Sequence, residues 1–169
     1  MKSRFLHDLN EMPGPVWLFG AFGITRLAGW FFALFMQGVD GLFWFSWPSA
    51  GMRLLGLAAA LLPAGLFWCM VRRRPYAMSL VRWYAALQVL AHGISLLSPL
   101  ITGYDAELYG GYGGLVRSSV TNLTWGALWF VFLYYLERSE KLAGLMPAGN
   151  RRALWWTVVP MAALVFLCM

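Results

Sequence analysis

Five long apolar runs divide this chain and leave it little choice of fold. They cover roughly residues 15–38, 52–71, 78–101, 115–136 and 153–169, the fifth being the shortest. A helix needs about 20 apolar residues, within a range of about 17–25, to cross the hydrocarbon core of a bilayer. Inside lipid a backbone amide has no water to bond, so only a helix or a closed barrel satisfies it. A barrel strand alternates apolar and polar residues over about ten positions. These runs are apolar on all sides. The expectation is an all-α, polytopic transmembrane bundle: a four-helix core plus a C-terminal span, in one domain over all 169 residues.

Charge then orients the bundle. Charged residues make up only 12% of the chain, about half the share usual in soluble domains. Thirteen are Lys or Arg and seven are Asp or Glu, a net charge of +6. With the N-terminus in the cytoplasm, ten of the thirteen basic residues fall inside: Lys2, Arg4, Arg72, Arg73, Arg74, Arg82, Arg138, Lys141, Arg151 and Arg152. Arg53 and Arg117 fall outside. Such a bias is what cytoplasmic loops of membrane proteins show, so the basic balance points to membrane topology and not to nucleic acid. Five spans carry the C-terminus to the far side. The segment before the first run is charged, and that run is too long and lacks a small-x-small cleavage site. It therefore reads as a retained span and not a signal peptide.

The loops have distinct characters. Arg72-Arg73-Arg74-Pro75 reads as a tight cytoplasmic turn, with Pro75 ending the second helix. Phe43, Trp44, Phe45 and Trp47 crowd the first outside loop, as an aromatic belt at the membrane interface or as a short segment touching a partner or lipid. Gly110, Gly111, Gly113 and Gly114 read as a flexible turn. The two cysteines, Cys69 and Cys168, belong to opposite faces in this topology, beyond the reach of a disulfide. Neither is part of a metal-binding cluster.

Polar residues inside the runs are the candidates for function. Arg26 stands about ten residues into the first run, about 15 Å deep at the helical rise. All seven acids lie outside the runs or at their ends. Arg26 therefore bonds carbonyls or amides within the bundle or snorkels, or it meets an acid on another subunit, or it binds an anionic or carbonyl-bearing ligand. Gln88, His92 and Ser95 follow at helical spacing and form a stripe expected to face the bundle interior, with Arg26 opposite. That level reads as an interhelical hydrogen-bond cluster or as a lipid-, quinone- or proton-handling site. Asn122 with Ser118, Thr121 and Thr124 forms a second polar patch. Gly56, Ala60 and Ala64, four apart, read as a packing seam beside Pro63, where a kink is possible. No catalytic motif, paired intramembrane carboxylates or cofactor signature occurs.

Three stretches resemble the YdgK-like family of small bacterial inner-membrane proteins, a domain-of-unknown-function family. The first is Phe67-Trp68-Cys69-Met70-Val71-Arg72-Arg73-Arg74-Pro75, a helix closing in a basic turn. The second lies within 116–147 and ends Tyr134-Tyr135-Leu136-Glu137-Arg138-Ser139-Glu140-Lys141. The third, Gly14-Pro15-Val16-Trp17-Leu18, is similar to the family's Gly-Gly-Trp-Leu opening, with departures at Pro15 and Val16. The likeness covers about residues 12–147. It implies a four-helix unit in the bacterial inner membrane, to which the fifth run is an addition, and it carries over no catalytic residue.

The function expected is that of a non-catalytic accessory or assembly subunit of a larger inner-membrane complex. Its partners would be membrane lipids and other membrane subunits or copies of itself. The alternative is a lipid-, quinone- or small-molecule-binding transport protein working at the level of Arg26, Gln88 and His92.

Overall fold

A computed structural model describes residues 4–40, 50–101 and 110–146. Those residues form six helices and no strand, so the chain is all-α. The helices are α1 (Arg4–Glu11), α2 (Gly14–Asp40), α3 (Ala50–Val71), α4 (Ala77–Ile101), α5 (Tyr112–Arg138) and α6 (Glu140–Leu145). Four of the apolar runs coincide with α2 to α5. The aromatic loop residues Phe43, Trp44, Phe45 and Trp47, the run at 153–169, and Cys168 lie outside the described residues. The chain divides into two compact units, Met1–Ala77 and Met78–Met169.

The first unit is built on an antiparallel pair, α2 and α3. Val16, Phe19, Gly20 and Gly23 form one buried stripe of α2 at helical spacing. A Cβ added at Gly20 would stand 2.7 Å from the Phe67 ring, and one at Gly23 would stand 2.8 Å from the backbone nitrogen of Ala64. As numbers rise on α2 they fall on α3, which sets the antiparallel sense. The Trp17 and Phe67 rings meet at 6.1 Å between centroids. α3 continues as one helix through buried Pro63.

α3 ends in a Schellman motif. The Arg73 N–H donates to the Met70 carbonyl at 2.8 Å, and the Arg74 N–H donates to the Cys69 carbonyl at 3.0 Å. This closure requires a left-handed residue, usually glycine. Arg73 takes that place with φ 51°. Left-handed backbone costs about 1–2 kcal/mol for an ordinary residue, and Arg73 offsets part of it through its side chain. Its guanidinium bonds Glu11 and lies 3.6 Å from Asp8, both on α1. The stretch before the first run, read from sequence only as charged residues, is thus a short helix held against the basic turn.

The second unit pairs α4 with α5, also antiparallel. Ala86 is buried with Trp83 and Leu133 packed on it. Tyr84 and Trp129 meet edge to face at 5.6 Å, an arrangement worth about 0.5–1.5 kcal/mol beyond area burial. The glycine-rich segment is only half a turn. Gly110 and Gly111 have positive φ, 65° and 88°, but Gly113 and Gly114 already belong to α5. Ser139 then serves two helices. Its N–H donates to the Tyr135 carbonyl, ending α5, and its Oγ accepts from the Leu142 N–H, starting α6. α6 buries Leu142, with Met146 buried just past its end, and it carries no apolar run that marks it in the sequence.

Candidate functional site

Two polar clusters sit between α4 and α5. At one level His92 Nδ1 is 3.0 Å from Asn122 Oδ1, and Asn122 Nδ2 donates to Ser118 Oγ at 3.4 Å. An amide oxygen only accepts, so His92 must carry its proton on Nδ1. In the uncharged ring that leaves Nε2 as an acceptor. Gly126 faces the same level, where a Cβ would stand 3.4 Å from His92 Cβ, an ordinary contact distance. The sequence suggested two separate patches, one around His92 and one around Asn122. The structure joins them into one.

Not every member of those patches belongs. His92, Gln88, Ser118 and Asn122 are half-buried, whereas Ser95, Thr121 and Thr124 are exposed. The Thr124 hydroxyl donates to its own helix, at the Val120 carbonyl. The stripe Gln88, His92, Ser95 therefore does not turn inward along its whole length.

The other cluster is nearer the ends of these helices. Arg82 Nε lies 3.0 Å from Glu137 Oε1, and Arg82 Nη2 donates to the Leu136 carbonyl at 3.3 Å. Arg82 is 4% exposed. Sequence reading counted Arg82 only as one of the charges marking the inner face. It is instead the buried arginine of this pair of helices, and it has a carboxylate beside it. The available signal was Arg82 near the start of one run and Glu137 at the end of the next, which an antiparallel hairpin brings level.

Among the described residues, Arg26 does not make the bonds within its unit that one of its expected readings called for. Its side chain is exposed, not turned into its unit. The guanidinium lies over the Phe22 ring of its own helix, 5.8 Å from the centroid. The reason is the pitch of α2. The buried stripe at positions 16, 19, 20 and 23 leaves position 26 on the flank, while 27 and 30 continue the inner side. Arg26 belongs to the first unit, and Gln88, His92 and Asn122 to the second.

The packing seam has a partner on α2. Ala60 is buried, and Gly56 and Ala64 are half-buried. Ala64 receives the backbone of α2 at Gly23. The small residues on α2 that meet this seam are Gly20 and Gly23, three apart on its buried side. Cys69 is a free, half-buried thiol.

Glu137, the nearest acid to Asn122 along α5, is fifteen residues away, about 22 Å along the helix. No acid–base pair forms around His92 among the described residues. Nor do three His, Cys, Asp or Glu side chains converge there as metal ligands. No protein-family model matches the chain, and neither a curated protein nor a solved structure matches it.

Proposed function

We propose that this chain is a small, non-catalytic integral protein of the bacterial inner membrane, acting as an accessory or assembly subunit of a larger complex. Its five spans would be 15–38, 52–71, 78–101, 115–136 and 153–169, with the N-terminus cytoplasmic and the C-terminus periplasmic. One observation carries the membrane assignment: large apolar side chains cover the outside of the helices. Leu18 is 73% exposed, Ile24 65%, Leu123 61%, Phe130 60% and Val131 63%. In water such surface is a liability, since each Å² of apolar area left exposed forgoes about 25 cal/mol. In lipid it is the required surface. The segment Ala77–Pro99 of α4 is by itself long and apolar enough to cross a bilayer.

The subunit assignment follows from what the helices lack and what they display. Arg82 is tied to Glu137 and His92 to Asn122, a structural use of polar groups between helices. Transport at the level of Arg26, Gln88 and His92 has less support, because Arg26 is exposed and His92 Nδ1 is occupied by Asn122. The test is fractionation of native membranes followed by a native gel in mild detergent. The protein should resist alkaline carbonate extraction and migrate with other chains. Release by carbonate would sink the membrane assignment, and a lone monomer in the gentlest detergent would sink the subunit assignment.

A further inference from the structure

Small residues occupy two sides of α2 for different reasons. Gly20 and Gly23 face α3, and their missing Cβ atoms make room for Phe67 and Ala64. Ala21, Thr25 and Gly29 recur every fourth residue on the other side, and all three are exposed. At Gly29 no described atom lies within 4 Å of where a Cβ would stand. A glycine at such a position weakens a helix relative to alanine, and no described residue uses the space it opens. Small residues at this spacing are what lets a second membrane helix approach closely.

Arg26 borders that face, three residues before Gly29 on the flank of the helix. It lies twelve residues after Gly14 and fourteen before Asp40, near the middle of the 27-residue α2. Apart from the Phe22 ring, no described group engages its guanidinium, and no described acceptor bonds its five N–H donors. The hydrocarbon half-thickness is about 15 Å. One side chain at mid-helix does not reach the phosphate layer across it without thinning the bilayer. A carboxylate at the same depth satisfies the charge directly.

None of the chain's seven acids lies within an apolar run, the depth at which Arg26 stands. Asp8 and Glu11 sit on α1 against Arg73, Glu137 beside Arg82 at the end of α5, and Glu140 at the start of α6. Asp40 closes α2, and Asp105 and Glu107 fall between the third and fourth runs. A second copy docked on this face would bring another Arg26 and no acid. We propose that the outer face of α2, at Ala21, Thr25, Arg26 and Gly29, receives a membrane helix of a different protein that carries an aspartate or glutamate at mid-depth. This rests on the membrane-subunit reading and names the chemistry of the partner.

The substitution Arg26→Lys keeps the charge and supplies an amine that a membrane-permeant carbodiimide can couple to an adjacent carboxylate. Native membranes holding this variant are treated with dicyclohexylcarbodiimide, and the cross-linked residues are mapped by mass spectrometry. The expected product is an amide between position 26 and an Asp or Glu within an apolar segment of another protein. Arg26→Lys should preserve the complex on a native gel. Arg26→Leu should reduce it by about tenfold or more, because the partner's acid is left unpaired. A conjugate to a second copy of this chain overturns the proposal, as does the absence of any conjugate. If no conjugate forms and Arg26→Leu leaves the complex intact, the subunit reading stands and this inference alone fails. A protein that migrates alone before any substitution defeats both.

Discussion

Removing either member of the Arg82–Glu137 pair leaves a different defect behind. The Arg82 side chain is 5% exposed and that of Glu137 31%. Glu137→Ala takes the carboxylate from a guanidinium that water barely reaches. Breaking a buried pair from one side costs about 3–5 kcal/mol when the remaining charge is fully enclosed, and the partial exposure of Glu137 lowers this to about 2–3 kcal/mol. Arg82→Met leaves a carboxylate that water can still solvate, and the methionine keeps most of the packing volume. That change should cost roughly 1 kcal/mol. Thermal unfolding in detergent micelles should therefore rank Glu137→Ala as the more damaging variant, and the opposite order would mean that the pair is not buried as described. Arg82 and Arg26 are the same residue type, each within an apolar run. From sequence, Arg26 stood out by its depth in a run, and Arg82 was one of the ten inside charges. What decides enclosure is the face of the helix, and that depends on which stripe the neighbouring helix covers.

The two helix pairs test the roles of small and polar residues at the scale of elements. Gly23→Ala puts a methyl group 2.8 Å from the Ala64 backbone nitrogen, and backbone cannot yield as a flexible side chain can. The α2–α3 pair should lose about 1–3 kcal/mol to overpacking. Gly29→Ala, with no described atom within 4 Å, should be neutral or stabilise the isolated chain by up to about 1 kcal/mol. Unfolding of the two variants side by side checks the contrast, which disappears if α2 and α3 do not meet at Gly23. In the second unit, a double-mutant cycle of His92→Phe and Asn122→Leu should give a coupling near 0.6 kcal/mol and no more than about 1.7 kcal/mol. Zero coupling would deny the bond across α4 and α5. The helices themselves were legible, because run length sets helix length. α4 was expected over 78–101 and runs Ala77–Ile101; α3 was expected over 52–71 and runs Ala50–Val71. The short helices α1 and α6 were not legible, because neither carries an apolar run. α1 is held by ion pairs to Arg73, and α6 starts from the capping hydroxyl of Ser139.

At the scale of the chain, the orientation of the proposed spans is open to direct measurement. In a background with Cys69→Ala and Cys168→Ala, Arg74→Cys should react with a membrane-impermeant thiol reagent only from the cytoplasmic side. Gly110→Cys should react only from the periplasmic side. Labelling of both positions from one side would remove the proposed topology. That the chain is all-helical was legible in its runs, because long stretches apolar on every side have the pattern of helices and not of alternating strands. The sequence by itself also marked Arg26, His92 and Asn122 as polar groups that need a reason to lie within such runs. Tertiary structure alone decided what each of them meets. His92 turns to Asn122, Arg82 to Glu137, and Arg26 away from α3. Helical pitch fixes which residues share a face, but only packing chooses which face is covered, and a one-residue rotation exchanges an enclosed arginine for an exposed one.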